Sequence, residues 1–537
     1  MPDYAVWLSH CLRRFYPGAP ASDARHLTLR AARNERLSFQ ACVRNLSAGA
    51  FDARITIEGA DDLDVLVRRV GYVPVAHLNT DTPADELDGT DEVRIGHVPG
   101  FAPDPLYPDQ RVQAGPFETH AFWITARALA DIAPGPRELR VTFTIGGERS
   151  ESLTATIDVR PVTVLPRRDF PVTHWFYADA LCDWHKLEPF EEKFWDVVKP
   201  YMQNLADHGT DCQYVPIFTP PTDGVKRPTQ LLSISEPAPG SYYFDFSNVR
   251  RWVRLARACG ARYFEWTHLF TQWGAQHAIR IYRNSRNPDS LLWPADTGAT
   301  SEKYRAFLSQ FLPQFHVFLT AENLLDVSFF HVSDEPGAEH LDNYRKARGM
   351  LAELAPWMKV SDALSHIEYG RAGLTDNPIV SISAARDYRA AGIPSWVYYC
   401  CGPRGRYVQR LMDTPLPKIR MNGWLFYKLG ARGFLHWGYN YWHKSQTRQL
   451  IDPFTEQAGM AWPGWAYGDP FVVYPGPDGP IDSLRWEVFA ESLQDYALLQ
   501  SLGVARDDPR LAGLNDYDDF PKSAEWIATT RDHLLTP

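Results

Sequence analysis

The sequence predicts two architectures in succession: an all-β sandwich over residues 1–165, then a (β/α)8 barrel with a closing segment over residues 166–537. Three observations predict this organisation. A chain of 537 residues is too long for one hydrophobic core. Its first part alternates apolar and polar residues with a period of two, which is typical of half-buried strands. Its second part alternates strand-like with helix-like runs, which is typical of a parallel sheet.

The first region is predicted to be all-β from runs such as residues 26–30, 138–145 and 155–159. Each run alternates in the manner of a strand with one buried face. Residues 133–136 read Ala-Pro-Gly-Pro and predict a turn between two strands. Because no long amphipathic helix is evident, two packed sheets are expected. Residues 165–171, which include two prolines, are predicted to be the linker to the second region.

Eight strand-like runs follow this linker, and helical runs separate most of them. The clearest helices are predicted over residues 190–208, 246–259, 302–322 and 339–354. Eight such units match a (β/α)8 barrel, whose active sites are built at the carboxyl ends of the strands. The predicted barrel strands are residues 172–176, 212–217, 262–267, 327–332, 359–362, 378–382, 396–400 and 433–437.

Charge and composition exclude several classes of partner. The net charge of −10 and the pI of about 5.9 argue against nucleic acid, which binds basic surfaces. No apolar run is long enough to span a bilayer, so no membrane partner is expected. The first residues lack the pattern of a secretory signal, so a cytoplasmic location is expected. The oligomeric state stays open, and a homo-oligomer is compatible with the sequence.

The sequence predicts no metal site and no cofactor. Its seven cysteines, which include the adjacent pair Cys400-Cys401, do not have metal-ligand spacing. No zinc-protease, dinucleotide-binding or phosphate-loop motif stands out. In a reducing compartment the cysteines are expected to be small buried side chains.

The tripeptide Asp334-Glu335-Pro336 predicts the catalytic site. It follows the apolar run 327–332, which has the character of a buried strand. Two adjacent carboxyl groups at the end of such a strand repel each other and are costly to desolvate. Pro336 has no N–H group and therefore ends the strand. Both acids are thus expected at the carboxyl-terminal rim of the fourth barrel strand, where barrel enzymes place their active sites.

Polar and aromatic residues also follow other predicted strands, and their convergence at one rim predicts a substrate pocket. Aromatic faces suit the apolar C–H faces of sugars. Each of these residues alone also has a structural interpretation as part of the core. The predicted substrate-binding residues are His174, Trp175, His268, Asp362, Tyr398, Tyr399, Trp437, Asn440 and Trp442.

The paired acids indicate glycoside hydrolysis in which the protein does not supply the nucleophile. Conventional mechanisms need two carboxyl groups about 5 Å or more apart, whereas adjacent strand residues point to opposite faces. The predicted seventh and eighth strands carry no second acid. In substrate-assisted catalysis the 2-acetamido oxygen of the substrate is the nucleophile. Glu335 then suits the role of acid/base, helped by a pKa raised through repulsion, and Asp334 suits the role of orienting the acetamido group. The alternative is that one acid caps the following helix.

Several segments resemble glycoside hydrolase family 123. In the first region these are residues 32–40, 104–108 and 122–124. In the barrel, Ser333-Asp334-Glu335-Pro336 is similar to the catalytic signature of that family. Near the end, residues 468–476, 483–487 and 493–496 are similar to its closing segment. The closing segment departs from the family pattern at Ser492 and Gln494.

The resemblance implies a sandwich followed by a barrel and a retaining exo-β-N-acetylgalactosaminidase. It implies Asp334 as the stabiliser of the acetamido group and Glu335 as the acid/base. The expected substrate is an oligosaccharide or a small glycoside. Two alternatives stay open: hydrolysis of a sugar without a 2-acetamido group, with the two acids in changed roles, and an inert carbohydrate-binding homologue.

Overall fold

The first region of the chain is a sandwich of two five-stranded sheets. The structure, a computed structural model, describes residues 3–79, 83 and 98–536. The sandwich strands are β1 (Tyr4–His10), β2 (His26–Arg33), β3 (Glu35–Asn45), β4 (Phe51–Glu58), β5 (Leu63–Val75), β6 (Gly100–Tyr107), β7 (Arg111–Ala114), β8 (Thr119–Ala128), β9 (Gly135–Ile145) and β10 (Arg149–Thr163). One sheet has the order β1-β3-β8-β5-β6 and the other has the order β2-β10-β9-β4-β7.

The sandwich core forms because alternate residues of these strands face inward. On β9, Leu139, Val141, Phe143 and Ile145 are fully buried, while the residues between them are more exposed. This is the period of two that the sequence shows. The prediction of an N-terminal all-β sandwich is confirmed.

The second region contains eight parallel strands that close into a barrel. Neighbours pair in chain order, and the first strand pairs with the eighth through Val172 and Phe434. Between the fourth and fifth strands, the N–H of Ser361 donates to the carbonyl of Phe330 over 2.7 Å. The barrel strands are β11 (Val172–His174), β12 (Cys212–Val215), β15 (Tyr263–Trp266), β16 (Ser328–Phe329), β17 (Ser361–Ala363), β18 (Asn377–Ser381), β19 (Trp396–Tyr398) and β20 (Phe434–His436).

All eight predicted strands overlap an observed strand, so the predicted barrel is confirmed. Two hairpins are added to it. The first consists of β13 (Ser233–Ala238) and β14 (Ser241–Asp245) and lies between the second and third barrel strands. The second consists of β21 (Tyr474–Pro475) and β22 (Pro480–Ile481) and follows the last barrel strand.

Helices connect the barrel strands, and the four that were predicted most clearly are all present. On the longest of them, Phe307, Phe311 and Phe315 recur at every fourth residue and are buried, as an amphipathic helix requires. None of the described helices is both long and apolar enough to cross a membrane. The helices are α1 (Ala178–His185), α2 (Glu192–Asp207), α3 (Ser247–Ala258), α4 (Glu302–Ala321), α5 (Leu341–Leu354), α6 (Ile367–Arg371), α7 (Ala385–Ala390), α8 (Leu416–Leu429), α9 (Leu484–Ser501) and α10 (Ala524–Leu535).

Helix α9 joins the sandwich to the barrel. Its Arg485 donates to both carboxylate oxygens of Asp104 on β6, each over 3.0 Å, and both side chains are fully buried. Glu487 of the same helix accepts from Arg68 of β5 over 3.0 Å. One continuous hydrophobic cluster contains Trp123 of the sandwich and Trp486 of α9. The barrel and the sandwich therefore share a buried interface that contains both ion pairs and apolar side chains.

Candidate active site

A pocket of about 170 Å³ opens at the carboxyl ends of the barrel strands. Pockets for drug-sized ligands usually measure about 300–1,000 Å³, so this one suits a single small ring. Three carboxyl groups reach it, from Asp334, Glu335 and Asp469. The aromatic residues of its lining are Trp175, Tyr177, Trp273, Tyr398, Trp437, Tyr441 and Trp465.

The adjacent pair Asp334-Glu335 lies on the loop that follows β16. The N–H of Trp273 donates to the carbonyl of Asp334 over 2.8 Å, which fixes the backbone of the pair. Glu335 has a φ of 43°, in the left-handed region that residues other than glycine seldom adopt. Such strain persists only where neighbouring contacts enforce it, and it concentrates at functional sites. The sequence prediction of both acids at this rim therefore agrees with their position in the fold.

The two acids have different surroundings. Asp334 is half-buried, and burial, followed by repulsion from Glu335, raises the pKa of the Asp334 carboxyl well above its usual range. Glu335 is exposed at the mouth of the pocket and accepts a 2.5 Å hydrogen bond from the hydroxyl of Tyr398. The sequence predicts the raised pKa at Glu335, whereas in the structure the raised pKa belongs to Asp334. One acid is desolvated, and the other is open to a ligand.

A buried charge network lies beneath the pair. His331 contacts Glu265 over 2.8 Å through Nε2 and Asp362 over 3.3 Å through Nδ1. These two carboxylates hold His331 charged and, against the cost of burial, raise its pKa to about 9. Its positive charge lowers the pKa of Asp334 and so opposes the effects of burial and repulsion there. The indole N–H of Trp175 donates to Glu265 over 2.8 Å, which connects the network to the pocket wall.

Another part of the pocket lining is built around Asp469. Its Oδ2 accepts from the indole N–H of Trp437 over 2.8 Å, and its Oδ1 lies 3.4 Å from Nε2 of His436. The N–H of Gly438 donates to Nδ1 of His436, so Nε2 carries the hydrogen that faces Asp469. Trp437 packs against Trp465 at 5.1 Å between ring centroids. Asp469 is 1% exposed, so its visible role is to hold the aromatic wall in place.

Of the nine predicted substrate-binding residues, the structure places Trp175, Tyr398 and Trp437 in the pocket together with the two acids. Asp362 and His268 are buried beneath it. Asp362 accepts from the N–H of Val332 and from His331, and the ring of His268 lies 4.6 Å from that of His331.

The other four predicted residues lie outside the pocket lining and have partners in the core. His174 contacts the Thr210 hydroxyl and Arg410. The Tyr399 hydroxyl donates to Asn422 over 3.0 Å. Asn440 accepts from the N–H of Tyr177 and donates to its carbonyl. Trp442 donates to the carbonyl of Val473 over 3.2 Å. Their visible contacts are therefore structural.

Sequence reasoning missed several residues of the pocket because loops bring them there. Gln272 and Trp273 come from the loop after β15, and Gln446, Trp465 and Asp469 come from the long segment after β20. No periodicity marks such positions. The sequence carries one signal for these positions: Asp469 lies in the segment 468–476, which has the family resemblance described above.

Two clusters of potential metal ligands occur among the described residues, and their partners fit a charge network better than an ion. In the first, of His268, His331 and Asp362, both ring nitrogens of His331 already contact carboxylates. The second combines His208, Asp482 and Glu487. Both of its carboxylates accept from Arg68. These contacts use the atoms that a metal would need.

Comparison with known proteins identifies the family. Residues 175–502, more than half of the chain, match the family model "Glycoside hydrolase 123, catalytic domain". A solved family 123 glycoside hydrolase from Clostridium perfringens aligns over 93% of this chain and 88% of its own, with a TM-score of 0.72 and 13% identity. A GH5 xyloglucanase from Bacteroides ovatus aligns over 89% of this chain and 99% of its own, with a TM-score of 0.33 and 10% identity.

No curated protein matched the sequence. The matched family segment begins at Trp175 and ends at Leu502, and so includes every pocket residue described above. The departures at Ser492 and Gln494 lie on α9 and outside the pocket lining. Gln494 hydrogen-bonds the backbone of Arg36 in the sandwich. The chain therefore belongs to glycoside hydrolase family 123 and is a glycosidase.

Proposed function

We propose that this glycosidase releases β-linked N-acetylgalactosamine from the ends of glycan chains, with retention of configuration and by substrate-assisted catalysis. The observation that carries this proposal is the adjacent pair Asp334-Glu335 in one small pocket, with Asp334 half-buried and Glu335 exposed. That mechanism needs two neighbouring carboxyl groups in different roles, one that orients and stabilises the acetamido group and one that acts as acid/base.

A protein nucleophile is poorly supported by the pocket. Two carboxyl groups that act as acid and nucleophile need separation across the scissile bond, which adjacent residues do not readily provide. The remaining carboxyl of the described lining, Asp469, is nearly inaccessible and is bound to Trp437. A nucleophile supplied by the substrate removes this requirement.

In the proposed first step the 2-acetamido oxygen attacks the anomeric carbon while the bond to the leaving oxygen breaks. Glu335 gives its proton to that oxygen, and Asp334 accepts the N–H of the acetamido group and stabilises the positive charge of the oxazolinium ion. In the second step water attacks the anomeric carbon, Glu335 takes its proton, and the acetamido group re-forms. Two inversions give net retention.

Tyr398 positions the acid/base. Its hydroxyl donates to Oε1 of Glu335, and its own buried position raises its pKa well above the usual range, so it stays a donor. This bond favours one orientation of a side chain that is otherwise exposed.

The choice of sugar rests on family membership and on pocket size. The Clostridium perfringens relative is described by its hydrolysis of glycolipid glycans, and N-acetylgalactosamine is the sugar that the signature around Asp334 implies. A pocket of about 170 Å³ suits one terminal residue, which favours release from a chain end.

One observation favours a second candidate, a glycosidase for sugars without a 2-acetamido group. Oδ1 of Asp469 has only the long 3.4 Å contact with Nε2 of His436, so a movement of Trp437 would leave this carboxylate as a candidate nucleophile. In that mechanism Glu335 would still protonate the leaving oxygen, and the covalent intermediate would form on Asp469.

Hydrolysis of a panel of aryl glycosides separates the two candidates. Wild type, Glu335→Gln and Asp469→Asn are assayed on β-GalNAc, β-GlcNAc and sugars without an acetamido group. We expect turnover of acetamido sugars only, a loss of roughly 10²–10⁴-fold in Glu335→Gln with substrates that need protonation, and a much smaller loss in Asp469→Asn. Turnover of a sugar without the acetamido group, abolished in Asp469→Asn, would establish the second candidate instead.

A further inference from the structure

Trp273 is the exposed aromatic residue of the pocket. Its side chain is 53% exposed, although tryptophan is usually highly buried. The other pocket tryptophans are much less accessible: Trp175 is 5% exposed and donates to Glu265. Trp273 lines the same pocket as Glu335 and therefore offers an open aromatic face at the mouth, outside the inner aromatic wall.

The backbone around Trp273 is held in a strained conformation. Trp273 has a φ of 54°, and its N–H donates to the carbonyl of Asp334 over 2.8 Å. The N–H of Gln272 donates to Asp223 over 2.9 Å. A Cβ on Gly274 would lie 2.8 Å from the ring of His340, so the turn fits closely against the segment that follows the catalytic pair. These contacts fix the backbone of Trp273 relative to that of Asp334, next to Glu335.

Two amide side chains lie in the same part of the pocket. Gln446 comes from the loop after the last barrel strand, and its Nε2 donates to Oε1 of Gln272 over 3.3 Å. Gln446 also has a left-handed backbone, with a φ of 42°, and its N–H donates to the hydroxyl of Tyr441 over 2.6 Å. Three pocket residues, Glu335, Trp273 and Gln446, thus share this rare conformation.

We propose that Trp273, together with the amides of Gln272 and Gln446, forms a subsite for the sugar of the leaving group. This proposal rests on the proposed function, since it assigns the group that Glu335 protonates. The subsite takes a carbohydrate because an aromatic face packs on sugar C–H groups while neighbouring amides can bond hydroxyl groups at the edge of the ring. An alkyl or lipid leaving group has no hydroxyl groups with which the two amides could form hydrogen bonds.

The test compares leaving groups at constant glycone. Wild type, Trp273→Ala and Trp273→Phe are assayed on the methyl glycoside, the n-octyl glycoside and a disaccharide, each carrying the non-reducing sugar that wild type hydrolyses. Tyr243→Ala, which removes a 64% exposed aromatic side chain from the hairpin strand β14, is the matched control. Thermal midpoints verify that each variant is folded.

Loss of one aromatic contact weakens binding by roughly three- to tenfold. We expect Trp273→Ala to lower kcat/KM for the disaccharide by this factor, chiefly through KM, and to lower kcat/KM for the methyl glycoside much less. Trp273→Phe should keep most of the activity, and Tyr243→Ala should match wild type on all three substrates. If Trp273→Ala does not fold, Gln446→Ala provides the same comparison with a smaller loss on the disaccharide alone.

Three outcomes would overturn the proposal. An equal loss on all three substrates would assign Trp273 to the glycone pocket or to folding. A loss that is largest on the octyl glycoside would assign an apolar aglycone. No loss on the disaccharide would exclude the subsite. These three outcomes leave open which sugar wild type hydrolyses. The panel of aryl glycosides answers that question with the wild-type enzyme. Failure of this inference is therefore distinguishable from failure of the proposed function.

Discussion

At the scale of the residue, Asp334 has the most unusual environment of the site. Its carboxyl is half-buried beside the carboxyl of Glu335, and both effects raise its pKa. Ionisation of Asp334 therefore costs free energy in the empty site, and a ligand group that donates a hydrogen bond or carries positive charge reduces this cost. In the proposed mechanism, the acetamido N–H and the developing positive charge are such partners, and they appear only when substrate is bound. If the mechanism holds, the cost of ionising Asp334 in the empty site is relieved in the transition state, which lowers the activation free energy.

Asp334→Asn should be more stable than wild type at neutral and alkaline pH. A carboxyl whose pKa is raised by folding loses stability as pH rises above the unfolded value near 3.9 and through the folded value. The amide does not ionise. We expect the free energy of unfolding of Asp334→Asn to exceed that of wild type by on the order of 1 kcal/mol at pH 8, and the difference to vanish below pH 4. Urea unfolding across pH measures this.

The same variant, Asp334→Asn, should lose activity. This loss distinguishes a carboxylate that takes part in catalysis from one that only lowers the stability of the protein. A gain in stability without loss of kcat/KM would contradict the role given to Asp334. A variant less stable than wild type at pH 8 would contradict the direction of its pKa shift.

At the scale of the element, three consecutive barrel strands supply the network under the pocket. Glu265 comes from β15, His331 from the segment after β16, and Asp362 from β17. The order of the strands brings them together although they are far apart in the sequence. The network orients Trp175 and places a positive charge below Asp334.

His331→Gln should destabilise the protein by about 3–5 kcal/mol at pH 6, because it leaves two buried carboxylates without their cation. A histidine whose pKa rises to about 9 on folding contributes stability that is fully present below its unfolded value near 6.5 and is lost as pH rises through 9. The difference from wild type should therefore shrink between pH 6.5 and pH 9.

Chemical unfolding at several pH values measures this change. The control is His26→Gln, at an exposed residue of β2, which should alter stability by less than about 0.5 kcal/mol. A difference between His331→Gln and wild type that stays constant from pH 6 to pH 9 would contradict a charged His331.

The sequence predicted the elements better than it predicted the pocket. The eight barrel strands were recognisable from apolar runs, and Asp334-Glu335 from the cost of placing two acids at a strand end. Side-chain direction was not recognisable, because a strand turns alternate residues to opposite faces and its register is unknown from the sequence. Asn440 and His174 were therefore predicted in the pocket but contact the core. Trp273 and Gln446 were missed because their positions depend on loop closure.

At the scale of the whole molecule, the sandwich and the barrel share a buried contact. Arg485 and Asp104 form a two-pronged ion pair that is inaccessible to solvent, and the Tyr474 hydroxyl donates to the same carboxylate over 2.7 Å. The hydrophobic cluster is continuous across the boundary. We therefore expect the two regions to unfold together.

Asp104→Asn should lower the free energy of unfolding by about 3–5 kcal/mol, because it leaves the guanidinium of Arg485 buried without its counterion. The control is Asp52→Asn, which breaks an exposed pair with Arg111 and should cost less than about 1 kcal/mol. Calorimetry should show one transition in wild type and in both variants. Separate transitions for the sandwich and the barrel, or equal effects of the two substitutions, would contradict a shared contact.

In the proposed mechanism the substrate supplies the nucleophile. The most direct test of this mechanism is kcat/KM for a series of aryl β-GalNAc substrates whose N-acetyl group carries none, one, two or three fluorine atoms. Fluorine withdraws electrons from the acetamido oxygen that is proposed to attack the anomeric carbon. We predict a steep, monotonic fall in kcat/KM with each fluorine. Values that stay nearly constant across the series would show that the acetamido oxygen does not participate, and would contradict the roles given to Asp334 and Glu335.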